Sequence, residues 1–295
     1  MTRARPTDMD GVRQNLKGFA TETGVQQGLS YQPAASDIFI SPFAKCGTTW
    51  MQQIVHGLRT GGAMEFDEIT EVVPWLELAH DMGMDVDAPQ VAHPRAFKSH
   101  LSWDEIPKGG RYIVVLRDPV DAMVSLYKFF DGWQFEAGSI TLEDFAAYFL
   151  ERDPSNSYWH HAQSWWAQRA HADVLLLAFE EMKLDLPAAV RQVAAFMGVS
   201  DPKVIELATH QAGFAFMKAH SDQFDDHLLR HARDAACNLP TDGVSTKVNQ
   251  GQAGQGKHMI SDHIRAAFAD RWHGTMGQSF GLADYAALRQ VLKTP

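Results

Sequence analysis

The residues with the most chemical content form one short run, Lys45-Cys46-Gly47-Thr48-Thr49-Trp50. It follows an apolar stretch ending at Ser41 and precedes a helical pattern carried by Met51, Ile54, Val55 and Leu58. A strand, a tight turn and a helix start gather backbone N–H groups about one point, where the helix dipole adds positive potential. Lys45 contributes a full charge and Thr48 and Thr49 contribute hydroxyl donors. Gly47 lets the backbone approach a phosphate with no Cβ between. The run reads as an anion cradle, although Gly-Thr-Thr at a helix start also serves as a simple cap. It is not a Walker A loop, because Lys45 precedes Gly47 rather than following it.

Further candidates stand downstream. Lys98 and His100 close an apolar run two residues apart, so a strand puts both on one face. An isolated imidazole titrates near ~6.5, so at neutral pH its lone pair can take a proton from a hydroxyl. Arg117 ends the apolar run 111–117, and Ser125 follows eight residues later, about two turns along the next helix. Ligands of open α/β sheets bind beyond the carboxyl ends of the strands, where Arg117 would stand. Each group has a plainer reading. A Lys at a strand end is commonly solvated, most of the 14 His must be surface or structural, and Trp50 suits a helix core as well as a stacking contact.

Residues 45–50 closely resemble the 5′-phosphosulfate loop of the cytosolic sulfotransferases, enzymes that use 3′-phosphoadenosine 5′-phosphosulfate (PAPS); that family usually has Ser where Cys46 stands. Phe97-Lys98-Ser99-His100-Leu101 resembles its Lys-Thr-His-Leu segment, whose His is the general base. Arg117-Asp118-Pro119 with Asp121, Val124, Ser125 and Tyr127 resembles its 3′-phosphate segment, and Phe179-Glu180-Glu181-Met182-Lys183 resembles Tyr-Glu-Asp-Met-Lys. The resemblance covers 37–198 well and the remainder poorly.

It implies sulfuryl transfer from PAPS to a hydroxyl or amine of a small, apolar acceptor, with no metal. The roles it implies are His100 as base, Lys45 against the charge on the leaving phosphate, and Lys98 on the sulfuryl oxygens. Nucleotide contacts fall to Lys45, Cys46, Gly47, Thr48, Thr49, Trp50, Arg117, Ser125, Phe179, Asn249, Gln250 and Gly251. The last three replace an Arg-Lys-Gly segment of the family, so both late-loop cations are missing, and Lys247 is the nearest substitute. Trp103, Trp133 and Phe135 are candidates for the acceptor pocket. Two other readings stay open: a sensor of 3′-phosphoadenosine nucleotides without turnover, and a small-molecule P-loop kinase. The kinase would need a Gly-Lys-Ser/Thr and an acidic Mg²⁺ ligand, and Arg117 occupies the corresponding strand end.

Positioning these residues calls for an α/β fold with a P-loop-like central parallel sheet flanked by helices. Short apolar runs at 37–41, 95–98, 111–117 and 173–180 read as strands. Helical patterns follow at 48–59, 120–130, 142–150, 158–169 and 186–197, the third opening on Thr141 with Asp144 three residues on. More helices at 202–210, 259–274 and 282–292 make the last third helical. The segment 239–256 reads as a mobile surface loop, and 1–295 as one domain in which 1–30 is a loosely attached arm.

Composition narrows the partners. With 26 basic and 36 acidic side chains in 295 residues, the net charge of −10 disfavours a general nucleic-acid or anionic-membrane binder. Two cysteines, Cys46 and Cys237, exclude a disulfide framework or Cys-rich metal site. The apolar runs are short of the ~20 residues of a membrane span, and the expectation is a cytoplasmic protein. The family's Lys-x-x-x-Thr-Val-x-x-x-Glu dimer motif is not matched after Lys257, where Ser261, Asp262 and Ala266 stand, and the oligomeric state is left open. If Lys247 takes the place of the missing cations, Lys247→Ala weakens binding of 3′-phosphoadenosine 5′-phosphate (PAP) in a titration; an unchanged constant removes Lys247 from the site.

Overall fold

The structure, a computed structural model, describes residues 3–243 and 256–293. Lys247, Asn249, Gln250 and Gly251, and most of the loop expected at 239–256, lie outside the described residues. Four parallel strands make one sheet: β1 (Ile38–Ile40), β2 (Ala96–Lys98), β3 (Arg111–Leu116) and β4 (Val174–Ala178), in the order β2-β1-β3-β4. The strands are short and almost wholly apolar because both faces of the sheet are covered. On one face Phe39 stacks between Phe97 and Tyr112, with ring centroids 5.5 Å apart on each side. On the other, Ile38, Ile40, Ile113 and Val115 pack with Met51, Ile54 and Val55 of the helix that follows β1.

Register carries the strand ends to a common level. Ile40 lies opposite both Lys98 and Ile113. The Ser41 N–H donates to Ile113 O (3.0 Å) and the Ser99 N–H to Ile40 O (2.8 Å), so the chain leaves β1 and β2 side by side. From β1 the chain crosses to β2 on one flank, while β3 lies on the other. The order therefore reverses between β1 and β3, which opens a crevice at their carboxyl ends.

The helices run from α1 (Met9–Leu16), α2 (Glu22–Leu29) and α3 (Thr48–Thr60) through α4 (Ile69–Val72), α5 (Pro119–Phe130), α6 (Leu142–Glu151) and α7 (Tyr158–Ala167). After β4 come α8 (Phe179–Leu184), α9 (Leu186–Met197), α10 (Pro202–Gln211), α11 (Phe214–Ala219), α12 (His227–Arg233), α13 (Gly256–Met259), α14 (Asp262–Trp272), α15 (Gln278–Phe280) and α16 (Tyr285–Lys293). Their starts are chemically marked. Asp118 caps α5 with Pro119 at its first position, and the Thr141 side chain accepts from Asp144 N–H at the head of α6.

Three expectations need correction. The strand expected over 173–180 stops at Ala178, because Glu180 turns into the first turn of α8, where it accepts from Asp118 N–H and Tyr285 Oη. The helix expected over 259–274 is divided by Ser261, which caps α14 by accepting from Ile264 N–H. The arm expected to be loose is tied down. Arg233 donates to the carbonyls of Gly18 (2.6 Å) and Phe19 (2.9 Å), Thr21 donates to Asp81 through N–H and hydroxyl, and Val12 is fully buried. Its sparse apolar content hid this, because the anchors are backbone carbonyls and a distant arginine. Gly28 of α2 lies so close to the Leu76 carbonyl that a Cβ would come within 2.3 Å of its oxygen. Gly28→Ala is therefore expected to destabilise the protein by about 1–3 kcal/mol, and an unchanged midpoint in chemical denaturation contradicts that packing.

Candidate active site

The loop between β1 and α3 is shaped by two left-handed residues, Lys45 (φ 65°) and Gly47 (φ 100°). A side chain at Gly47 would put its Cβ 3.1 Å from the Phe179 ring, so both backbone and space call for glycine. Gly47 is the N-cap of α3, and no side chain caps that helix. The Thr48 hydroxyl, buried and lining the crevice, has no hydrogen-bond partner among the described residues. An uncapped 13-residue helix, a buried orphan hydroxyl and a glycine cradle fit an anion at this point.

His100 is fixed by its own ring. Nδ1 lies 2.7 Å from the Pro42 carbonyl oxygen, which can only accept, so the neutral ring carries its proton on Nδ1 and its lone pair on Nε2. The His100 N–H donates to Glu77 Oε1 (2.7 Å), and Trp75 meets the ring edge-on at 4.9 Å. Burial pushes the Glu77 carboxyl above the usual range, against the hydrogen bonds it accepts. Lys98 is buried, with Nζ 3.7 Å over the Trp75 ring and 3.8 Å from Asp226 Oδ1. Asp226, which sequence reasoning missed, has φ 62° at the start of α12 and offsets part of the Lys98 charge. Its only signal was an Asp-Asp pair before a helical pattern, indistinguishable from a cap.

Arg117 leaves the end of β3 and binds back to the loop, Nη1 donating to the Lys45 carbonyl (2.8 Å), with its guanidinium 4.4 Å over the Phe179 ring. Lys45 Nζ stands 3.8 Å over Phe129. Trp50 meets Phe179 edge-on at 5.6 Å, and its Nε1 donates to the Ala212 carbonyl (2.8 Å). A cavity of about 1200 Å³ brings Lys45, Gly47, Thr48, Thr49, Trp50, Lys98, His100, Arg117, Ser125 and Phe179 together. Phe214 and Met217 of α11 and Lys183 of α8 also line it. Phe214 and Met217 follow no motif that the sequence analysis used, whereas Lys183 closes the segment that begins at Phe179.

Cys46 does not join them. Its side chain is fully buried in the core, its N–H donates to the Phe43 carbonyl (3.0 Å), and burial pushes its thiol up to about 12. The left-handed turn at Lys45 directs it away from the crevice. Of the aromatic candidates for the acceptor wall, Trp133 lines the cavity, whereas Phe135 is core and Trp103 packs on Tyr112 and Trp165. Leu16, Phe19 and Val25 of the N-terminal segment add apolar lining to that of Phe129, Phe130 and Tyr148. Among the described residues no group of three or more His, Cys, Asp or Glu side chains is placed to hold a metal, and no helix is long and apolar enough to cross a membrane.

Residues 35–280 match the family model of the sulfotransferase domain. The chain belongs to the sulfotransferase family. Sulfotransferase 4A1 of Mus musculus is 32% identical over 180 residues, a match covering 57% of this chain and 62% of that protein. The 3-beta-hydroxysteroid sulfotransferase of Cavia porcellus is 26% identical over 89% of this chain and 90% of its own. Mouse sulfotransferase SULT7A1, solved in complex with PAP, shares the fold with a TM-score of 0.68 at 19% identity, over 93% of each chain. Retinol dehydratase in complex with androsterone and PAP gives a TM-score of 0.65 at 17% identity, over 89% of this chain and 84% of that one. The expected sulfotransferase fold is thus established, with the central parallel sheet and helical C-terminal region.

One further histidine belongs to this sulfotransferase site. His161 Nε2 donates to the Ser41 carbonyl (3.0 Å), its Nδ1 is buried without a partner among the described residues, and burial pulls the imidazole down to about 3. His56, buried on α3, is likewise pulled down, to about 4. Both are neutral in the folded state and protonate near ~6.5 when unfolded. Their contribution is fully present above ~6.5 and is lost as pH falls toward 4 and 3. Buried Glu77 and Glu180, pushed upward, act with the opposite sign. Denaturation of His161→Gln at pH 7 and pH 5 isolates one of these groups: the variant is expected to lose less stability between the two than the wild type does. An equal loss contradicts the buried neutral state.

Proposed function

We propose that this protein transfers a sulfuryl group from PAPS to a hydroxyl or amine of a small acceptor with an apolar body, in the cytoplasm. The observation that carries the reading is the joining of His100 to the phosphate loop through the Pro42 carbonyl, with Lys45, Lys98, Arg117 and Ser125 lining the same cavity. PAPS supplies an electron-poor sulfur and a phosphate leaving group, and the protein's task is alignment and stabilisation of charge.

In this reading His100 Nε2 takes the acceptor's proton as the new O–S bond forms and the S–O bond to the phosphate breaks. The Pro42 carbonyl, holding Nδ1–H, steadies the charged ring. Lys45, the hydroxyl of Thr48 and the first turn of α3 receive the negative charge that develops on the leaving phosphate. Lys98 faces the sulfuryl oxygens, its charge moderated by Asp226 until an anion arrives. Arg117 and Ser125 hold the 3′-phosphate, and Trp50 and Phe179 flank the base. The cavity of about 1200 Å³ exceeds the roughly 300–1,000 Å³ of a one-ligand pocket, which suits a nucleotide and an acceptor together.

The test is an acceptor screen with labelled PAPS. His100→Ala is expected to lower kcat by about 10²–10⁴ while retaining PAP affinity. Tight nucleotide binding with no turnover of any acceptor by the wild type supports a sensor instead, and preference for ATP over PAP supports a kinase.

A further inference from the structure

The cavity carries a cation that the proposed chemistry does not use. Arg152, the C-cap of α6, lines the cavity one turn beyond Tyr148 on the same helix face. Its guanidinium lies 5.5 Å over the Phe43 ring, and among the described residues it has no carboxylate within ion-pair distance. The neighbouring acids are engaged elsewhere. Glu151 pairs with Arg13 of α1 (3.2 Å), and Asp153 accepts from the Ser155 N–H and hydroxyl. Glu105, another acid lining the cavity, accepts from the Ser102 N–H and hydroxyl.

Asn156 and Ser157 line the cavity beside Arg152 and add polar donors, while Phe43, Phe129, Phe130 and Trp133 provide a flat apolar surface. A half-buried arginine on an aromatic face, with its planar donors unspent, matches a carboxylate, which it can hold by two parallel hydrogen bonds. The acid Asp226 stands beside Lys98. The cavity that holds His100 thus also presents Arg152, a cation outside the proposed sulfuryl transfer.

We propose that Arg152 selects acceptors that carry a carboxylate on an aromatic body, held away from the hydroxyl that reacts. The proposal rests on the sulfotransferase reading above only in naming that hydroxyl; the anion preference itself belongs to the cavity. It predicts that the reaction feeding this site leaves a carboxylate on a hydroxylated aromatic compound, and that the product is doubly anionic.

Two probes of matched shape test it, 3-(4-hydroxyphenyl)propanoate and 4-propylphenol, titrated into the full chain with and without PAP. The wild type is expected to bind the carboxylate about tenfold tighter or better, as a charge-assisted pair would give. Arg152→Met, which keeps the apolar stem, is expected to abolish that ratio and leave 4-propylphenol within about twofold. Arg152→Lys should restore part of it. Equal constants for the two probes in the wild type, or an unchanged ratio in Arg152→Met, overturn the proposal. An Arg152-dependent ratio in a protein that does not bind PAP would overturn the sulfotransferase reading and leave this one standing.

Discussion

Seven residues, 41–47, hold the site together through their backbone carbonyls. The Ser41 oxygen takes a hydrogen bond from His161, the Pro42 oxygen from His100, the Phe43 oxygen from the Cys46 N–H, and the Lys45 oxygen from Arg117. The proposed base, the proposed 3′-phosphate arginine and the helix N-terminus are therefore referenced to one stretch of main chain. Carbonyls cannot donate, so the same contacts also set the tautomer of both histidines. Moving this loop would move all of these groups together, which is what catalysis by alignment requires. The left-handed turns at Lys45 and Gly47 make it possible, and the approach of Phe179 leaves no room for a side chain at Gly47.

The sheet supplies the frame. Parallel register brings Ile40, Lys98 and Ile113 to one level, so loops far apart in sequence start from neighbouring points. Charge follows the same local logic. The chain is acidic overall, yet Lys45, Lys98, Arg117, Lys183 and Arg152 all face one cavity. Aromatic rings accompany most of these cations: Phe129 under Lys45, Trp75 under Lys98, Phe179 under Arg117 and Phe43 under Arg152. Such faces favour a cation without neutralising it, which keeps the charge available to a ligand.

Much of this was legible in the sequence because the relevant signals are local. Each of these strands is an apolar run, the loop before α3, Lys98, His100 and Arg117 lie at or just beyond strand ends, where an α/β sheet presents ligands, and Ser125 follows two turns into α5. What escaped depends on tertiary placement. Asp226 belongs to no motif and gains meaning only once Lys98 is seen beside it. The N-terminal segment reads as loose until Arg233, more than two hundred residues away, reaches its carbonyls. Cys46 reads as part of the loop's working surface because sequence order does not reveal which way a left-handed turn points its successor. Trp103 and Phe135 failed as pocket residues for a related reason, since aromatic type alone does not separate a core ring from a cavity wall.

In the proposed function the crevice takes an adenosine bearing phosphate at two positions, one held by the loop before α3 and the other by Arg117 and Ser125. Calorimetric titration with PAP and with adenosine 5′-phosphate, which lacks the 3′-phosphate, measures that second grip alone. About tenfold or greater preference for PAP, lost in Arg117→Met, is the expected result. Equal affinity for the two nucleotides would contradict it.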